Sequence, residues 1–91
     1  MSRKRVAILI SGRGSNMSAL IAATQAPDYP AEIVGVLSNR AAAPGLVTAA
    51  SHGIATASLA QSKFPSRDMF EDVMTQTLES WGVDFVCLAG F

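Results

Sequence analysis

Residues 5–16 read Arg-Val-Ala-Ile-Leu-Ile-Ser-Gly-Arg-Gly-Ser-Asn, and this stretch decides the fold. The apolar run up to Ile10 has the length and β-branched content of a strand buried on both faces. Ser11-Gly12-Arg13-Gly14 then breaks it with a tight loop. Ser15 and Asn16 are N-cap residue types, and Met17, Ala19, Leu20, Ile21 and Ala23 continue as helix formers until Pro27 and Pro30 end the pattern. A buried strand that turns through glycines into a helix is the opening of a βαβ unit.

Reading outward, residues 32–37 form a second apolar strand ending in Ser38-Asn39-Arg40. Residues 44–51 are a short Ala-rich helix stopped by Gly53. Residues 54–59 give a weaker strand of small residues, suited to a sheet edge, followed by a polar loop over 61–66. Ser66 caps the longest helix, in which Met69, Phe70, Val73, Met74 and Leu78 recur at helical spacing up to Trp81 and Gly82, a stripe expected to pack into the core. Residues 84–89 form a fourth strand ending in Gly90-Phe91. Alternating strands and helices imply right-handed crossovers. The expected architecture is an α/β, Rossmann-like parallel sheet in the order 3-2-1-4 with flanking helices, incomplete at its C-terminal end.

The chain has 91 residues, enough for one core and not two, with 49% hydrophobic and 15% charged residues. That composition excludes a disordered chain. The formal net charge is zero, which offers no bulk attraction to nucleic acid or to an anionic membrane, and no apolar run approaches the roughly 20 residues of a membrane span. Four of the seven basic residues, Arg3, Lys4, Arg5 and Arg13, fall in the first thirteen positions, and Arg3 to Arg5 read as a solubilising N-terminal arm. The single cysteine, Cys87, excludes an intrachain disulfide and is expected to be a buried, inert thiol. With no signal peptide discernible, the expected location is the cytoplasm.

The chemistry concentrates in residues 11–16. Glycines at 12 and 14 permit a tight turn and a close backbone approach, and Ser15 and Asn16 bring donors to a helix N-terminus, where an anion belongs. This is not a P-loop, because no Lys-Ser or Lys-Thr follows. The third glycine of the dinucleotide fingerprint is replaced by Met17. No acidic residue stands after the second strand to hold a ribose, which argues against a nicotinamide-dependent oxidoreductase. A single phosphate of a small metabolite fits the loop better.

Four blocks in one order carry a specific resemblance: Ile-Leu-Ile-Ser-Gly-Arg-Gly-Ser-Asn-Met at 8–17, Leu-Ser-Asn-Arg at 37–40, Gly-Ile-Ala-Thr at 53–56 and Val-Cys-Leu-Ala-Gly-Phe at 86–91. Across essentially its whole length the chain resembles the N-terminal part of the phosphoribosylglycinamide formyltransferases. The resemblance implies residues 1–91 to be the phosphate-binding half of a formyltransferase domain, with Gly14, Ser15, Asn16, Met17 and Ser18 around the phosphate and ribose of 5-phosphoribosylglycinamide. It implies a folate-binding role for Arg67, Leu88 and Phe91, with 10-formyltetrahydrofolate as co-substrate and no metal. The Asn, His and Asp that carry formyl transfer in this family would lie beyond Phe91, so no catalytic residue is expected here. From the residues alone Arg67 is an exposed first-turn cation; the resemblance tips it towards folate.

His52, the only histidine, matches no catalytic position and reads as a capping or surface residue. Alternatives to the complete transferase are an inactive phosphate-binding fragment or a related formyl-folate-using hydrolase or transferase, the last opposed by the Gly-x-Gly-Ser-Asn loop. A sheet that stops at 84–89 would expose apolar surface. The chain is therefore expected to aggregate or to pair with another chain, a homodimer being one such pairing.

Overall fold

The computed structural model describes residues 3–12 and 15–89, with Ser15 described only as a helical position. β1 (Lys4–Ile10) leads to α1 (Ser15–Thr24), β2 (Ala31–Ser38), α2 (Pro44–Ser51), β3 (Ala55–Ser58), α3 (Arg67–Ser80) and β4 (Phe85–Leu88), with one 3-10 turn (Gln61–Lys63) before α3. The four strands form a parallel sheet in the order β3-β2-β1-β4, as the alternation of elements requires. β1 is central and paired on both sides, which explains its apolar sequence: residues 6–10 are all buried.

The connections through α1 and α2 step one way across the sheet, whereas that through α3 returns across β2 and β1 to β4. Right-handed crossovers then put α1 and α2 on one face and α3 on the other. Ile8, Ile10 and Val36 pack against Met17 and Ile21 of α1 and Ala49 of α2 in one cluster. On the opposite face Trp81, at the end of α3, lies so close over Gly35 that a Cβ built there would sit 2.2 Å from the indole ring. The β1–β2 register slips by one residue next to this contact, between Val6 and Ala7.

Gly53 and Gly82 have φ of 73° and 65°, the left-handed conformation in which a helix commonly terminates. Ile54 N–H donates to Ala49 O at 3.1 Å and Val83 N–H to Leu78 O at 3.4 Å, so α2 and α3 end in the same way.

Several expectations need correction. Arg3 and Arg5 are not a free arm. Arg3 Nη2 donates to Thr24 O at 2.6 Å and to Ala31 O at 2.7 Å, and its Nε to Tyr29 O at 3.0 Å, so the guanidinium ties the last carbonyl of α1 to the loop after it and to the start of β2. Arg5 does the same for α3: its Nη2 donates to Trp81 O at 2.7 Å and its Nε to both Trp81 O and Gly82 O at 3.1 Å. Backbone N–H of Arg5 also donates to Asp84 Oδ2 at 2.9 Å, which ties the start of β4 to β1.

The helix stripe of α3 is only partly core. Phe70 is buried, its ring edge-on to Phe64 with centroids 5.6 Å apart, while Met69, about 100° round the helix, is exposed. Ser15 and Asn16 begin the first turn of α1 instead of preceding it. Cys87 is free and half-buried, packed against the cluster under α1 and α2 instead of sealed inside it. Phe85, Val86 and Leu88 of the edge strand β4 are exposed, in line with the expected apolar surface.

Substituting Gly35 by Ala pushes a methyl group into the Trp81 ring. It is expected to cost about 1–3 kcal/mol of folding stability and to perturb the single tryptophan's fluorescence, both read in a urea titration. Stability within 0.5 kcal/mol of wild type, on the order of an ordinary surface change, would mean that Trp81 does not pack there.

Candidate functional site

The connections on either side of β1 leave in opposite directions, so a crevice opens at the C-terminal ends of β1 and β4, the place where open α/β sheets bind ligands. Four segments meet at this edge. Residues 11–12 follow β1 directly. Ser38, at the end of β2, pairs in register with Ile10, which brings residues 38–40 alongside. Leu88 pairs with Leu9, and Ala89 N–H donates to Leu9 O at 2.9 Å. The first turn of α2 joins through Gly45 N–H, which donates to Gly12 O at 3.2 Å.

Gly12 is the informative residue. Its φ is not positive, and a Cβ built on it meets nothing within 4 Å. Among the described residues, neither a positive φ nor a close neighbour therefore demands glycine there. Among the described residues that position is open, and the chain runs from it into the N-terminal turn of α1, where backbone N–H groups and the positive end of the helix dipole favour an anion.

The remaining candidates divide by burial. Asn16 and Ser18 are exposed in the first turn of α1, on the same sheet edge. Met17 is fully buried in the core cluster, so only its backbone is available to a ligand. Gly14 and Phe91 lie outside the described residues, as does the side chain of Ser15.

Arg67 opens α3 at this edge, and its Nε pairs with Glu71 Oε2 at 3.0 Å. Both side chains are largely exposed, and the order Arg before Glu is the less favourable one for an i,i+4 pair, so the guanidinium is held by about 0.5 kcal/mol at most. An anionic ligand can displace Glu71 at small cost. Leu88 presents an exposed apolar side chain at the end of β4.

The sequence reading passed over Asn39. Its Oδ1 is buried and has no hydrogen-bond partner among the described residues. The only sequence signal for it is the Leu-Ser-Asn-Arg block at 37–40. Next to it, Ser38 is fully buried; its Oγ accepts from Arg40 N–H at 3.0 Å and its carbonyl from Leu59 N–H at 2.9 Å.

A cavity of about 220 Å³ lies at the opposite edge of the sheet, lined by Arg3, Thr24, Gln25, Glu32 and residues 52–54 among others. It falls at the N-terminal ends of the strands, where Nε and Nη2 of Arg3 already donate to carbonyls. His52 borders it as an exposed helix cap, with Nδ1 2.9 Å from the Thr48 carbonyl oxygen. Among the described residues no three His, Cys, Asp or Glu side chains gather as a metal would require.

Residues 4–91 match the family model described as formyl transferase, and the chain belongs to the formyl transferase family. Within it, the chain is similar to the phosphoribosylglycinamide formyltransferase of Brucella melitensis, whose crystal structure is 49% identical and superimposes with a TM-score of 0.96 over 99% of this chain and 47% of that one. The Haemophilus influenzae phosphoribosylglycinamide formyltransferase is 39% identical over 97% of this chain and 42% of its own length. The trifunctional purine biosynthetic protein adenosine-3 of Drosophila pseudoobscura pseudoobscura is 48% identical over 98% of this chain and 7% of its own length. The chain thus spans less than half of each of these relatives.

Gly12→Ala is expected to leave folding stability within about 0.5 kcal/mol of wild type, because the added methyl meets none of the described residues. The same methyl should abolish most of the thermal stabilisation given by inorganic phosphate, as read by differential scanning fluorimetry. Undiminished stabilisation would place the anion elsewhere.

Proposed function

We propose that this chain provides the phosphate and ribose side of the 5-phosphoribosylglycinamide site, and the start of the formyl-folate pocket, in a phosphoribosylglycinamide formyltransferase. The observation that carries this reading is the open space at Gly12, beside the N-terminus of α1 and at the switch point of the sheet. Gly14, Ser15, Asn16, the backbone of Met17, and Ser18 surround the phosphate and ribose. Arg67, Leu88 and Phe91 take the folate side, Arg67 through its guanidinium and Leu88 through an exposed apolar surface.

In the whole protein the glycinamide amine attacks the formyl carbon of 10-formyltetrahydrofolate. The tetrahedral intermediate then collapses with loss of the folate nitrogen. Its oxyanion needs hydrogen-bond donors placed in advance, the attacking nitrogen needs a proton acceptor, and the departing folate nitrogen needs a proton donor. The only histidine of this chain, His52, is at the far edge of the sheet and cannot serve. Those tasks fall to an Asn, a His and an Asp in the part of the domain that this chain does not match, and the 91 residues act as the acceptor's binding half.

A sample verified by intact mass at 9.5 kDa is expected to show phosphate-dependent stabilisation and no formyl transfer to 5-phosphoribosylglycinamide. Transfer at that mass would contradict the assignment of catalysis to the other half.

A further inference from the structure

The two edges of the sheet differ in charge. In a parallel sheet every strand-to-helix connection lies at the carboxyl edge, and the described residues of those connections here are 11–12, 39–43 and 59–66. They carry Arg40 and Lys63 and no Asp or Glu; the sequence from 33 to 67 holds no acidic residue at all. The helix-to-strand connections at the opposite edge carry Asp28 and Asp84, and Glu32 stands near the start of β2. The first acids on the carboxyl side are Asp68, Glu71 and Asp72 at the start of α3, where Glu71 pairs with Arg67.

Arg40 is fixed beside β1 through its backbone. Ser38, two residues before it, pairs with Ile10, and Ser38 Oγ accepts from the Arg40 N–H at 3.0 Å. The Arg40 carbonyl accepts from Ala43 N–H at 3.3 Å, and Gly45 N–H donates to Gly12 O at 3.2 Å, so the turn is tied to the end of β1 at both of its ends. The Arg40 side chain is exposed and makes no hydrogen bond or ion pair among the described residues. Two residues span at most about 7 Å and neighbouring strands lie about 5 Å apart, which puts the Arg40 Cα within about 12 Å of the Ile10 Cα. That is comparable to the screening length of about 10 Å at 0.1 M salt.

We propose that Arg40 is the residue that favours a doubly charged phosphate at the β1–α1 turn, its guanidinium acting through space in a stretch of the sheet edge free of acidic residues. Backbone N–H groups bind an anion of any charge, whereas a nearby full cation favours a dianion over a monoanion or a neutral group. This inference rests on the phosphate-site reading above.

The test is isothermal titration of the chain with inorganic phosphate at roughly 0.01 M and roughly 1 M salt, where the screening length is about 30 Å and about 3 Å. At low salt Arg40→Gln should weaken binding about fourfold, the Coulomb effect in water of one charge on a dianion about 10 Å away. At high salt that difference should vanish. Arg40→Lys, which keeps the charge, should bind within about 1.5-fold of wild type, and so should Lys4→Gln, which removes a charge at the opposite edge of the sheet. Because the backbone of Arg40 makes the bonds of the turn, Arg40→Gln should also melt with wild type. Unchanged affinity in Arg40→Gln, or an equal loss in Lys4→Gln, would overturn the local role of this charge. A loss that persists at high salt, or that Arg40→Lys shares, would mean direct contact in place of action through space, and a lowered melting temperature would mean a structural residue; each overturns the proposal. If wild type itself binds no phosphate, the site reading fails and this inference falls with it.

Discussion

The double-sided pairing of β1 is the constraint on which the rest of the structure depends. A strand hydrogen-bonded to β2 on one side and β4 on the other has no free edge, so it is written almost entirely in apolar residues and its loop can leave only at the C-terminal end. The crossovers to β2 and to β4 diverge around it, and the crevice between them falls at Ser11 and Gly12. The position of the candidate site is thus a consequence of strand order and does not depend on any single contact within the loop.

The two edges of the sheet are put to different uses. At the N-terminal edge, Arg3 and Arg5 donate to carbonyls that include the last of α1 and those just after α3, and Arg3 and His52, which border the cavity there, are both engaged with backbone carbonyls. Among the described residues at the C-terminal edge the polar groups are less fully engaged: a Cβ on Gly12 would meet no neighbour, Asn39 Oδ1 has no donor, and the Arg67 guanidinium pairs only with Glu71 at the surface. Unspent hydrogen-bonding capacity marks a binding edge, and spent capacity marks a structural one.

This contrast also explains what the sequence could and could not reveal. β1, its loop and α1 were legible because a buried run, a pair of glycines and a helical pattern follow one another within twenty residues. The ends of α2 and α3 were legible because Gly53 and Gly82 are local signals. The roles of Arg3 and Arg5 were not, since the carbonyls their side chains bind lie 21 to 77 residues away in sequence and are brought to them only by the tertiary fold. The same holds for Gly35 beneath Trp81, and for Asn39, whose burial no neighbouring residue announces. Met69 was misjudged because periodicity marks a face and not how much of that face the sheet covers.

The central claim is tested most directly by following backbone amide resonances of the chain while 5-phosphoribosylglycinamide is added. The account predicts saturable shifts confined to residues 11–18 and 38–45, at the C-terminal edge of the sheet. Shifts centred instead on Arg3, Glu32 and His52, at the opposite cavity, or no saturable shifts at all, would contradict it.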